Sequence, residues 1–231
     1  MEIKQTTYFI VALMSMTLMG VVSAFADTTV VYQITSRDGD GSQTIYYRDK
    51  QHVRVDMASD TGHNSVTMMK LGDKAYMIQG KVVQDLDQLL QMMAMMGKQP
   101  KKSHAKQAPI KYTDTGRTEN IAGITGKVYR FEERGKKHEV VLAKHQALQD
   151  AMLGSISIFQ TAADIGMMKD DAMSQVQQDA SIKSMGLLRL DKTMRLQLID
   201  MHSIPSSKFT LPSKPQQMGG MGSLMQNMAR H

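Results

Sequence analysis

The side chains most able to do chemistry in this 231-residue chain are its 23 methionines, set beside seven histidines and no cysteine. They cluster. In "LDQLLQMMAMMGKQPKKSH", Met92, Met93, Met95 and Met96 run into Lys98, Lys101, Lys102 and His104. Near the end, "MGGMGSLMQNMARH" holds Met218, Met221, Met225, Met228 and His231. Thioethers three or four residues apart, with a histidine at hand, suit Cu(I), a soft ion that accepts low-coordinate sulfur ligation. The competing explanation is packing: methionine is a flexible gap-filler, over-used on surfaces that accommodate varied apolar partners. Both stay open on residue types alone, with packing the simpler and a copper-buffering tail the alternative.

Other chemistry has little support in the sequence. His52, His63, His138, His145 and His202 fall in different expected elements, with no HxH or HxxxH pair to suggest zinc. There is no GxSxG elbow, no HExxH, no phosphate-cradling glycine loop and no cysteine nucleophile. The acid pairs Glu132-Glu133 and Asp170-Asp171 sit in an expected turn and at an expected helix start, where solvation and capping account for them. The expectation is a protein without catalysis or a resident cofactor.

The chain opens with Lys4, an apolar run from Tyr8 to about Val22 and the triplet Ala24-Phe25-Ala26, the layout of a secretory signal cleaved near Ala26. That predicts an exported, periplasmic protein in which residues 1–26 are removed. Lack of cysteine excludes disulfides and N-terminal acylation on cysteine. The net charge of +6 is spread along the chain, which allows weak attraction to anionic surfaces; no basic stripe alternates with aromatics, so nucleic acid is not expected. A monomer is expected.

Elements must hold these residues in place. "TTVVYQITS", "SQTIYYRD", "QHVRVDMAS", "NSVTMMKL" and "KAYMIQG" read as short strands separated by turn signals. In "HVRVDM" the alternation puts Val53, Val55 and Met57 on one face and Arg54 and Asp56 on the other, so one face of the sheet is buried. The period then changes: Leu86, Leu89, Leu90, Met93 and Met96 form one helical stripe, capped by Asp85 and stopped by Gly97. Met92 and Met95 fall off that stripe. Residues 98–109, rich in lysine and proline, read as a mobile loop. Strands resume, with a bend bracketed by Gly123 and Gly126 and a hairpin turn around Gly135. Leu148, Met152, Ile156, Phe159 and Ala163 make a second helical stripe, and "DDAMSQVQQDASIKSM" is a weaker third helix. A last hairpin turns at Asp191-Lys192, and residues 216–231 read as a flexible, methionine-rich tail.

The order "YYRDKQHVRVDM", "MMKLGDKAYMI", "YTDTGRTENIAGITGKVYRFEERGKKHEVVLAK", helix, hairpin and "IPSSKFTLPSKP" resembles a family of bacterial periplasmic domains of unknown function. Their fold is similar to the outer-membrane lipoprotein carriers (LolA/LolB-like). The resemblance covers roughly Val30 to Pro212. It implies an α+β half-barrel, a curved antiparallel sheet over residues 27–215 whose concave face is covered by two or three helices. The carriers open with a helix that this sequence lacks, and the lysine loop and methionine content are not typical of them, so lipoprotein carriage is not transferred.

The function expected is non-enzymatic binding of an apolar ligand, lipid-like or peptide, or of an envelope protein. The lining residues would be Leu89, Leu90, Met93, Met96, Met152, Ile156 and Phe159. The Leu/Met helix with its lysines could also make peripheral membrane contact, although a lid helix followed by a solvated loop explains the same residues. The alternative is copper held by Met218, Met221, Met225, Met228 and His231.

Overall fold

Alternation of β-branched or aromatic residues with polar ones makes the first half of the chain a meander. The computed structural model describes residues 27–36, 39–60, 65–95, 110–133, 135–165 and 184–216. Five strands arise where the pattern predicts them: β1 (Thr28–Ser36), β2 (Gly39–Asp49), β3 (His52–Ser59), β4 (Val66–Leu71) and β5 (Lys74–Gln79). A sixth, β6 (Val82–Asp85), was not expected, because four residues are too few for alternation to show. It leads directly into α1 (Leu86–Met95), whose first turn is capped as the sequence suggested. Asp85 Oδ1 accepts the backbone N–H groups of Asp87 and Gln88, each at 3.1 Å.

The second half supplies β7 (Thr113–Ile121), β8 (Ile124–Glu133), β9 (Lys136–Ala143), α2 (Gln146–Asp164), β10 (Gly186–Leu190) and β11 (Met194–Asp200). His145 caps α2, its ring Nδ1 accepting from the Leu148 N–H. The β7–β8 turn is carried by Ala122 and Gly123, both at positive φ. Gly126, expected at that bend, lies inside β8 instead. A Cβ there would stand 2.6 Å from Leu188 Cδ1 and 2.8 Å from Val141 Cγ1, so the glycine is required by close packing.

All eleven strands form one antiparallel sheet in the order β6-β5-β4-β3-β2-β1-β11-β10-β9-β8-β7. The sheet is curved. Neighbouring strands are about 4.8 Å apart, so β11 and β7, four places apart, would stand roughly 19 Å apart if it were flat. Their Cα atoms instead approach within 8 Å. The β7 end therefore curls over, which buries Val128 on one side of β8 and Tyr129 and Phe131 on the other.

α2 lies in the resulting trough against β10, β1, β2, β3 and β4. It comes close because two glycines permit it: a Cβ at Gly154 would stand 2.9 Å from the Tyr47 ring, and one at Gly186 would stand 2.6 Å from Leu148. Leu148, Ala151, Met152, Ser155, Ile156, Ile158 and Ala162 are buried there with Val30, Tyr32, Ile45, Val53 and Val55. Burial of each large apolar side chain stabilises by about 1.5–3 kcal/mol. The Tyr32 phenol, pushed up by burial, donates to the Leu187 carbonyl at 2.8 Å.

The convex face of the first half is strapped by residues 204–216, which include a 3-10 turn, Ser206–Phe209. Arg48 binds Asp27 and the Ile204 carbonyl, and lies 4.8 Å from the Phe209 ring centroid. Arg54 Nη1 donates to the Lys208 carbonyl at 3.1 Å. Further along, Leu211 packs on Met69, Tyr76, Ile78 and Val83, and the Gln216 N–H donates to the Val83 carbonyl at 2.9 Å. The "IPxxxFxLP" ending of the sequence is this strap.

Residues 1–26, expected to be a signal segment, the loop 98–109, all but the last two residues of the third helix candidate at 170–185, and positions 217–231 lie outside the described residues. No helix among the described residues is long and apolar enough to cross a membrane.

Candidate functional site

Strand register builds the concave floor in rows. One row runs Gln43, Met57, Val66 across β2, β3 and β4; the next runs Ile45, Val55, Met68, Met77, Gln84 from β2 to β6. Ile45, Val55 and Met68 are sealed, at 1% exposure or less. Met57, Val66 and Met77 are only half-buried, packed against the edge of the core. The floor therefore passes from a closed half near β1 to a partly open half near β4 and β5.

α1 stands over that open half. It touches β5, β6 and α2, and the Asp87 carboxylate anchors it by accepting the Ala75 N–H at 3.1 Å. Leu86 is its one buried residue, whereas Leu89, Leu90 and Met93 are half-buried against the core. Phe159, toward the end of α2, is half-buried as well. Met57, Val66, Met77, Leu89, Leu90, Met93 and Phe159 are seven of the half-buried apolar side chains that pack against the concave core, and the basin is the surface they form with the floor. Exposed apolar atoms in this arrangement gain free energy by covering one another or a guest.

The sequence-derived lining residues divide. Leu89, Leu90, Met93 and Phe159 are half-buried against the core, while Met152 and Ile156 are 4% and 3% exposed within the core under α2. Met96, Met218, Met221, Met225, Met228 and His231 lie outside the described residues. Of the two methionines off the leucine stripe, Met95 is 77% exposed and Met92 is half-buried. Sequence reasoning missed Val66, Met77 and Gln43. Gln43 had a readable signal, since it takes the inward phase of "SQTIYY" two residues before Ile45.

Polar groups in the basin are few. Gln43 is 7% exposed and its Nε2 has no hydrogen-bond partner among the described residues; Gln84 Oε1, on the same face, also has none there. Lys70 shares this face, in register with Val53 and Ala75. The Tyr47 phenol is pushed up by burial and by the Asp150 and Asp49 carboxylates.

The described histidines take local partners away from this floor. His52 pairs with Asp49, His138 stacks on Phe131 and pairs with Asp191 at 2.6 Å, His145 caps α2 and His202 pairs with Asp200. No group of three or more histidines or carboxylates among the described residues is placed to hold a metal.

The strongest charge cluster lies at the curled end. Arg189 on β10 reaches Glu119 on β7 and Glu139 on β9, each at 2.7 Å, and Arg117 also binds Glu139. The Arg189 and Arg117 hydrogen bonds hold the Glu139 carboxyl below its usual range despite partial burial. Every charge there has a partner, so the cluster ties the curl together.

No known family model matches the chain, and no curated protein does. Among solved structures it is similar to a LolA superfamily protein, NE2245, from Nitrosomonas europaea. The match covers 81% of this chain and 90% of that one, at 9% identity and a TM-score of 0.30. At that overlap, the reading of the fold rests on the strand order and curl described above: an open, curved antiparallel sheet with two helices among the described residues. The α+β architecture expected from the sequence, a curved antiparallel sheet with helices over its concave face, is the one this chain adopts among the described residues.

Proposed function

We propose that this chain is an exported, periplasmic, non-enzymatic protein that binds an apolar ligand in the basin between α1 and the β3–β5 floor. The observation that carries the reading is the set of half-buried apolar side chains contributed by three strands and both helices. Such a surface beside a buried core has the composition of a binding site: mostly apolar, with few convergent polar groups among the described residues. Binding would proceed by burial of apolar area, at about 25 cal/mol per Å², with displacement of α1 as the gate. Methionine suits this role, because its unbranched thioether adapts to guests of varied shape.

The test is native mass spectrometry of the purified protein before and after delipidation, with displacement of a fluorescent fatty acid. Bound lipid, or displacement at micromolar ligand that Leu90→Asp weakens several-fold, is the expected result. No adduct and no displacement at tens of micromolar would overturn the proposal. Copper binding through Met218, Met221, Met225, Met228 and His231 remains the rival proposal. Anaerobic competition for Cu(I) against a chromophoric chelator tests it, and unchanged affinity after replacing the four methionines by leucine would dismiss it.

A further inference from the structure

The floor of the basin is not wholly apolar, and one of its polar side chains keeps a buried atom without a partner among the described residues. Gln43 sits in β2 between Tyr32 of β1 and Met57 of β3, on the face that carries Ile45. It is 7% exposed, yet its Nε2 donates to no acceptor among the described residues. Buried amides are nearly always paired, because an unmet donor keeps the cost of its lost hydration. Leucine or methionine at this phase would fill the same space without that cost.

We propose that Gln43 is a hydrogen-bond anchor for a neutral carbonyl, so that the basin takes an apolar chain bearing an ester or amide. This deepens the binding reading above and rests on it. The geometry distinguishes a neutral group from a carboxylate. A buried anion needs a cation beside it, and the residues flanking Gln43 on this face are Tyr32, Ile45 and Met57. Lys70 shares the face but pairs with Val53, four residues along β3 from Met57, hence roughly 13 Å away along the strand. Gln84 carries a second unpartnered amide atom on the same face, opposite Met77, as an acceptor for any donor the ligand presents.

The experiment uses the full mature chain and displacement of a bound naphthylamine dye by one lauroyl chain in four forms: methyl ester, N-methylamide, free carboxylate and matching n-alkane. For the wild type, the ester and amide are expected to compete about tenfold more tightly than the alkane and the carboxylate. In Gln43→Met that preference disappears, so that ester, amide and alkane compete alike, and the empty variant melts at a higher temperature than the empty wild type. Equal competition by all four forms, tighter binding of the carboxylate, a preference that survives Q43M, or a lower melting temperature for empty Q43M would each overturn the anchor while leaving apolar binding in place. Failure of all four forms to displace the dye would overturn both.

Discussion

The two helices over the concave face differ in nearly every respect that decides whether a helix is core or cover. α2 runs for 19 residues with eight buried and two glycine-mediated close approaches to its surroundings. α1 runs for ten residues, buries only Leu86 completely and ends on Met95 in solvent. A short isolated helix is marginal in water, so α1 depends on packing, and it has obtained far less of it than α2. The contrast teaches that one sheet can carry a permanent core and a loosely held lid side by side, and that the boundary runs between Val55 and Met57 on the floor.

The contrast can be broken most directly from the α2 side. Leu148 is fully buried against Gly186 and begins the helix stripe. Leu148→Ala is expected to cost about 3 kcal/mol, the usual penalty for a buried leucine that leaves a cavity, measured by urea denaturation. A cost below about 1 kcal/mol would show that α2 is as loosely held as α1, and the division would fall.

The curled end gives a second, intermediate test, because it is fastened by charge as well as by apolar packing. Arg189→Met leaves Glu119 and Glu139 without their shared partner. Its side chain is 14% exposed and its partners 32% and 26%, so after allowance for screening the loss is about 1–2 kcal/mol near neutral pH. The sign of the pH dependence follows from Glu139, whose carboxyl is held below its ordinary value of 4.5, first by the Arg189 hydrogen bond. A depressed carboxylate stabilises the fold above its unfolded pKa, and that stability is lost as pH falls through the lower folded value. The gap between wild type and R189M should therefore be widest above pH 4.5 and should close below it, as followed by thermal melting. A gap independent of pH would mean that the arginine acts only through its packing.

Much of this layout is readable from residue order. Val53, Val55 and Met57 alternate inward, Leu148 to Phe159 repeat at helical spacing, and Asp85 announces the start of α1; each is a local rule that the tertiary fold leaves intact. What the sequence does not carry is register between distant strands. That Gln43 faces Met57, that Met68 faces Met77, and that Arg189 meets Glu119 seventy residues away depend on pairings and on a curl that no short window encodes. The role of Gly126 was misread for the same reason: its neighbours Leu188 and Val141 are remote in sequence, so a close approach looked like a turn. On the helices, the half-buried places of Leu89, Leu90, Met93 and Phe159 follow the expected stripes, whereas Met152 and Ile156 are sealed in the core and the floor was largely illegible.

The smallest expected effect is also the one that sharpens the division most. Leu90 on α1 is half-buried, so Leu90→Ala should cost no more than about 1 kcal/mol of global stability. It should nonetheless shift the local equilibrium, because α1 has few other apolar anchors. Native-state hydrogen exchange separates the two quantities, since local opening and global unfolding have different free energies. The amides of Leu89–Met93 are expected to exchange faster than those of Met152–Ile158 in the wild type and several-fold faster again in L90A, with α2 unaffected. If the two helices exchange together, and L90A moves both, then α1 unfolds only with the core. It would then be part of the core that its burial suggests it has not fully joined, and a guest would need some other way in.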